Sequence, residues 1–370
     1  MTELRIDTPH TEMLMFPEKY WAPEDRPAVE RIDLLKHNAD VRVRCWDRLG
    51  FSIVRANVAL TPPVGWSAKV LSSMEAKTLS EKMGLKYMPG TFVDEWGRGT
   101  VYDPRCGRWV HQYGTLTSIE DWNKWAANFP DPFAEGRDAS ARITIKLAQE
   151  RGMAVFGYIR SPFGQLFDAF PIKTYYRLQL EHPNFIRRAV QAYTDYNCDV
   201  IKRYGELGCD LVICIGDLAH RDGPYMSPRI FNEFYFPEKR RRVEAAHKVG
   251  IKYVKHTDGD IRSLLNGLVN IARVDGIHSL DPSAGVDIGI VKEKYGDKIF
   301  LMGNVAVDSL ALKSEEEVIS ETKECIKKAA HRGGFILGSS NSWYAHCKLR
   351  NCLAMVRTGK KYGKYPIQFS

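Results

Sequence analysis

Within six residues, Lys255-His256-Thr257-Asp258-Gly259-Asp260 offers an imidazole and two carboxylates at the end of an apolar run, IKYVKHT (251–257). Residues two apart on a strand face the same side, so His256 and Asp258 are aimed into one pocket. The pair suits a metal site, or an acid/base couple in which the carboxylate tunes the imidazole. A plainer reading is also open: His256 bonds a neighbouring loop backbone, and Asp258 or Asp260 caps a following helix, Ile261 to Ile271. Asp217 stands just past another apolar run, LVICIG (211–216), with Tyr225 downstream as a pocket-lining candidate. His220 and Asp222 lie between them in a loop where a solvated role is as natural as a catalytic one. Ser227, ahead of Pro228, reads as a helix cap. Asp281 precedes Pro282 at a further run end, where it either faces a site or starts a turn. The string LGSSNS (337–342) is a Gly/Ser-rich turn, suited to binding phosphate through backbone N–H groups or to orienting a polar substrate. A Gly-x-Ser-x-Gly elbow and a Walker motif are both absent.

These residues need elements to carry them. Short β-rich runs recur at MAVFGYI (153–159), LVICIG, IKYVKHT, DGIHSL (275–280), IFLMGNV (299–305) and GFILGSS (334–340). Helical spacing fills the intervals: Phe185, Ala189, Val190, Tyr193, Val200, Ile201 and Tyr204 between Pro183 and Gly208, and a charged stretch from Pro237 to Lys248. Ser314 with Glu317 forms a capping box for a helix that stops near the glycines of HRGG (331–334). Strand–helix alternation with strands buried on both faces means a parallel α/β fold. A dinucleotide Gly-x-Gly-x-x-Gly loop is lacking, and polar residues stand at run end after run end: Arg160, Asp217, His256 with Asp258, Asp281, Asn304, and Ser339 through Asn341. In a closed barrel those ends converge on one face. The expectation is a single (β/α)8 TIM barrel domain over residues 1–370. Its first 150 residues form an irregular, Trp- and Pro-rich decoration, with a hairpin or flap at 94–114 that caps the pocket.

Composition narrows the class. Apolar residues make up 44% and charged residues 26% of 370, so the chain is globular and can bury a full core. A formal charge of +8 is spread along the chain, which disfavours nucleic acid; the runs Lys239–Arg242 and Lys360–Lys364 read as solvated surface. Eight cysteines form no Cys-x-x-Cys pair and read as reduced thiols. With no signal peptide and no apolar run long enough to span a bilayer, the expectation is a cytoplasmic protein free of membranes. A homodimer is left open.

The strings EHPNFIRRAVQAYTDYNCDVIKRYGELGCDLVICIGDLA (181–219), SPRIFNEFYFPEKRRRVEAAHKVGIKYVKHTDGD, GIHSLDPSAGVDIGIVKEKYGDKIFLMGNV and GGFILGSSNS resemble the uroporphyrinogen decarboxylase superfamily, in family order, over residues 150 to 365. The resemblance implies the same barrel and two chemistries. Porphyrinogen decarboxylases carry an N-terminal RQAGR-type motif and a histidine in the last strand-end turn. This chain has VRVRCWDRLGFSIVR (41–55) and Ser339, so that activity is not expected. In the corrinoid-dependent methyltransferases, several members bind zinc through His-x-Cys and a later cysteine. His256 matches the histidine, while Asp258 and Asn341 stand where the two thiolates would be. A harder donor set argues against thiol methylation and weakens the case for zinc.

What the resemblance then implies is transfer of a methyl group from an O-methyl donor, a methoxylated aromatic, to the Co(I) of a separate corrinoid protein. The corrinoid is the partner's, since no Asp-x-His-x-x-Gly signature is present. His256, Asp258 and Asp217 are the candidates for activating the ether oxygen, with a metal at His256 and Asp258 as one means. Phe163, Tyr225 and Trp343 are candidates for a ring slot, and Arg160, Asp281, Asn304, Ser339 and Asn341 for other substrate contacts. Two alternatives stand beside it: a decarboxylase or lyase with Arg160 as a carboxylate clamp, and a non-catalytic ligand-binding relative.

Overall fold

The computed structural model describes residues 32–58, 69–83, 91–103, 108–344 and 346–368. Trp21, Trp66 and Cys106 lie outside the described residues. Seven parallel strands form a curled sheet: β1 (Ile53–Arg55), β6 (Ala154–Arg160), β7 (Leu211–Ile215), β10 (Lys252–Thr257), β11 (Gly276–Ser279), β12 (Phe300–Val305) and β13 (Phe335–Ser339), neighbouring one another in that order. A short antiparallel pair, β8 (Ala219–His220) and β9 (Gly223–Pro224), follows β7. All six runs expected to be strands are present. Each is buried along most of its length because helices cover it, which is why the sequence reads as continuous apolar runs.

The expected closed eight-stranded ring is corrected to this open form. Among the described residues β1 and β13 are the two sheet edges and do not pair. Among the described residues between β1 and β6 the chain adds no strand to this sheet and builds an antiparallel sheet of β2 (Lys69–Val70), β3 (Phe92–Val93), β4 (Arg98–Asp103) and β5 (Arg108–Gly114). The two edges still approach. Phe51 packs edge-on against Trp343 with ring centroids 5.2 Å apart, and a cavity of about 300 Å³ between Ser52, the first residues of β13 and Lys360 separates them further down. That cavity is at the N-terminal ends of the strands, away from the polar strand ends.

The helices follow the sequence signals. The helix Pro183–Leu207 opens on a proline and ends at Gly208 in the left-handed conformation, φ +87°, and its predicted apolar face is buried. Ser314 and Glu317 form the reciprocal capping box of the helix Glu315–Ala329, and Ser227 accepts the Ile230 N–H at the start of its short helix. Helix Ile261–Ile271 is only partly realised. Turns occupy its first residues, and a wide helical turn covers Gly267–Ile271, where Gly267 packs closely on Phe236 and Asn232. The basic run at 239–242 is also corrected. In the helix Phe236–Lys248, Lys239 and Arg242 face the sheet with Val243 and Ala246 and are buried, while Arg240 and Arg241 hold surface ion pairs. The helical period places 239, 242, 243 and 246 on one side, and no count of basic residues reveals that.

The main apolar core runs from Val41 to Val356, and a small separate cluster joins Leu71, Ala76 and Tyr113. Among the described residues Cys198, Cys209, Cys214 and Cys325 are free thiols, and no helix is long and apolar enough to cross a membrane.

Candidate functional site

Three ligand-capable side chains converge at the C-terminal ends of β7 and β10. Nε2 of His256 lies 3.7 Å from Oδ1 of Asp217 and 3.7 Å from Oδ1 of Asp258. Among the described residues these are the three His, Cys, Asp or Glu groups whose ligand atoms fall within 4.8 Å of one another. Backbone bonds hold them there. Asp217 Oδ1 accepts the Asp258 N–H at 3.1 Å, and Thr257 Oγ1 accepts the Leu218 N–H at 2.9 Å, stitching the turn after β10 to the turn after β7. The β7 turn needs Gly216. Its φ is +104°, and a Cβ there would sit 2.6 Å from Ser161 Oγ. Lys255, on the opposite side of β10 from His256, is fully buried and donates to the Gly216 carbonyl at 2.6 Å.

The far side of Asp258 is held by Asn341, whose Nδ2 donates to Oδ2 of the carboxylate. Oδ1 of Asp258 is buried with no hydrogen-bond partner. Burial and the charge of Asp217 push the Asp258 carboxyl up to about 8, since two carboxylates this close cannot both ionise at ordinary pH. Burial pushes His256 down to about 4, with Lys255 and Arg160 adding to the effect and Asp217 opposing it. Burial likewise brings Lys255 down to about 8. The cluster therefore holds more negative potential than it can satisfy, and a proton or a cation fits between its oxygens and the imidazole nitrogen.

Of the other candidate residues, some reach this mouth and some do not. Tyr225 is half-buried beside His220, Phe163 and Phe167, and burial together with Asp217 and Asp258 raises its hydroxyl. Asp281 accepts from Ser283 as a turn starter, and its other oxygen accepts the Gly259 N–H at 3.2 Å, bracing the turn that carries Asp258. Asp260 pairs locally with Arg262, turned away from the bonds that hold Asp258 to Asp217 and Asn341. His220 and Asp222 are exposed and touch each other.

Four of the residues expected at the substrate have side chains engaged within the fold. Asn304 is buried and spends both ends internally, donating to the Leu280 carbonyl and accepting from Cys325. Phe163 is enclosed by Phe167, Tyr175, Phe231 and Tyr235, forming the floor beneath Tyr225. Trp343 is 2% exposed and packs on Phe51 in the core. Arg160 is already engaged: its Nη2 is 2.5 Å from Asp168, which also faces Arg98 of β4 at 3.8 Å. Through Asp168 the β4–β5 hairpin docks on the helix Pro162–Ala169, and His111 donates to the Asp168 carbonyl at 2.9 Å. Ser339 contributes through its backbone, as the acceptor of His278 Nε2 at 3.0 Å.

His278 is the residue sequence reasoning missed. Its Nδ1 lies 2.7 Å from Nδ1 of His256, and the two stand opposite in the β10–β11 register. The available signal was a histidine inside an otherwise apolar run, GIHS (276–279).

A family model described as uroporphyrinogen decarboxylase (URO-D) matches residues 113–362. No curated protein matches the sequence. Among solved structures, a methyltransferase from Methanosarcina mazei superposes with a TM-score of 0.67 at 16% identity, covering 98% of this chain and 93% of that one. A D-psicose 3-epimerase from Clostridium cellulolyticum H10 reaches 0.43 at 10% identity, covering 87% and 91%. An endo-beta-1,4-mannanase from Thermotoga petrophila reaches 0.45 at 10%, covering 90% and 75%. The first establishes a shared fold. With the family model spanning more than half its length, the chain belongs to the uroporphyrinogen decarboxylase (URO-D) family.

Proposed function

We propose that this protein is the substrate-side methyltransferase of a corrinoid-dependent system, moving a methyl group from a methoxylated aromatic to the Co(I) of a separate corrinoid protein. The observation that carries the reading is the cluster of His256, Asp217 and Asp258 at the strand ends, with both carboxylates 3.7 Å from one imidazole nitrogen. Family membership and the fold shared with a methyltransferase support it.

The transfer is an SN2 displacement. The cobalt–carbon bond forms as the carbon–oxygen bond breaks, and the electron pair stays on oxygen as a phenolate. That leaving group is poor unless its charge is met as it develops. Asp258, protonated up to about pH 8 by its burial beside Asp217, is the chain's own proton donor for the oxygen. Asn341 orients it. Tyr225 and the aromatic floor under it offer the ring an apolar slot.

The same three side chains fit a divalent ion: one nitrogen and two carboxylate oxygens in reach of a common point, one of them the unpartnered Oδ1 of Asp258. Three protein ligands with an open position is the form of catalytic metal sites. A divalent ion there would supply Lewis acidity at the ether oxygen. The lyase alternative rested on a free Arg160, and Asp168 holds that guanidinium.

The test is anaerobic incubation with a reduced corrinoid protein and a panel of methoxylated aromatics, following methyl-Co(III) absorbance. Turnover that fails across the panel, and with methylamine donors, sinks the proposal.

A further inference from the structure

Behind His256, on the side away from the two carboxylates, lies a second buried imidazole. His278 is 1% exposed, and its two ring nitrogens meet Nδ1 of His256 at 2.7 Å and the Ser339 carbonyl oxygen at 3.0 Å. The relay runs from β10 through β11 to β13, skipping β12, and therefore depends on the curl of the sheet.

Its hydrogens can be assigned from one end. A carbonyl oxygen only accepts, so Nε2 of His278 carries hydrogen. An imidazolium at this position would be a buried charge facing a neutral ring and a carbonyl, with neither supplying a counter-charge. His278 is then neutral, and its Nδ1 is a bare lone pair. A lone pair 2.7 Å from another nitrogen needs that nitrogen to donate, which puts hydrogen on Nδ1 of His256. A neutral ring has one hydrogen. Nε2 of His256, the atom facing Asp217 and Asp258, is left without one.

We infer that His278 is a positioning residue: with the Ser339 carbonyl, it fixes His256 as the Nδ1–H tautomer and presents an electron pair, not a proton, to the site. Histidines that bind metals usually send their other N–H to a carboxylate or a backbone carbonyl; here the carbonyl is reached through a second imidazole. The inference deepens the proposed function, on which its metal readout rests, by dividing labour. His256 serves as electron-pair donor to whatever lies between the carboxylates, which leaves proton donation to another group.

The first measurement needs neither metal nor substrate. Metal-free wild-type protein labelled with 15N-histidine is examined by long-range 1H–15N correlation at pH 7.5, with His256 assigned through its loss in His256→Asn. The expected spectrum has a pyrrole-type Nδ1 and a pyridine-type Nε2 for His256. A strongly deshielded N–H proton should also vanish in both His256→Asn and His278→Ala. A pyrrole-type Nε2 at His256, or a doubly protonated ring at either residue, overturns the inference.

The second measurement is Co(II) binding followed by visible absorption, on variants matched for melting temperature. His278→Ala should lose affinity about 10–100-fold. His278→Asn, whose Oδ1 can accept from His256 Nδ1, should recover most of it. Equal affinity in wild type and His278→Ala overturns the positioning role. If the wild type binds no Co(II) yet shows the expected tautomer, the metal reading falls and the positioning of His256 stands.

Discussion

Asp217 holds Asp258 by its backbone: the Asp217 Oδ1 that accepts the Asp258 N–H at 3.1 Å also lies 3.7 Å from His256 Nε2. One oxygen thus serves the architecture of the turn and the electrostatics of the site. The two roles can be separated. Asp217→Asn keeps an acceptor oxygen and removes the charge, so methyl transfer should fall on the order of 10²-fold or more with the fold intact. Asp217→Ala should add a stability loss of about 1 kcal/mol from the missing hydrogen bond. Steady-state kinetics with urea unfolding on both variants checks this. Near-wild-type turnover in Asp217→Asn would remove Asp217 from the chemistry.

Asp258 should make the metal-free protein less stable as pH rises. Its carboxyl is pushed up to about 8 in the fold, against the ordinary carboxylate range in the unfolded chain. A group raised in this way contributes its full stability below the unfolded pKa, and that contribution is lost as pH rises toward the folded one. Asp258→Asn has no such titration, and its amide can donate toward the His256 lone pair. The variant should gain on wild type between pH 5 and pH 8, by about 1–3 kcal/mol at the upper end, while losing activity. Thermal melts in chelator across that range read it directly, and a stability difference that does not change with pH would contradict it.

The layout of the strands was legible because β-branched apolar runs punctuated by glycine and aspartate have few other uses. The site was legible in part for the same reason, since His256, Asp258 and Asp217 stand at run ends. Long-range pairing was not legible. His278 gains meaning only from the register that sets it opposite His256, and Asp168 only from the hairpin that brings Arg98 to it. Residue type alone does not separate the two roles. Trp343 and Phe163 are as suited to a ring slot as to a core, and it is packing against Phe51 and Tyr175 that puts both inside. Among the described residues no eighth parallel strand is present, and the chain between β1 and β6 carries an antiparallel sheet that no strand-end rule anticipates.

Gly259 tests how tightly the Asp258 turn is fixed. Its φ is +80°, and a Cβ would lie 2.5 Å from the His220 carbonyl oxygen, while its own N–H donates to Asp281. Gly259→Ala must shift one turn against the other or strain the backbone, at about 1–3 kcal/mol. Because Asp258 is the preceding residue, turnover should fall along with stability. Asp281→Ala, which removes the brace but leaves the glycine, should show a smaller loss of both. A Gly259→Ala protein with wild-type melting temperature and turnover would show the turn to be free to move.

The Arg98–Asp168–Arg160 chain is the remaining charge network near the mouth, and its energetics are testable without knowing the substrate. All three side chains are at most one-fifth exposed, so Asp168→Ala strands Arg160 without its carboxylate and should cost about 2–4 kcal/mol. Arg98 keeps Asp94, 2.5 Å from its Nη2, and so loses less. The double variant Asp168→Ala with Arg160→Ala removes the stranded charge as well. It should therefore be less destabilised than the sum of the two single changes, by about 1 kcal/mol or more. Urea unfolding of the four proteins closes the cycle. Additive effects would mean that Asp168 and Arg160 are adjacent without being coupled, and that the hairpin is held in place by packing and by the His111 bond to the Asp168 carbonyl.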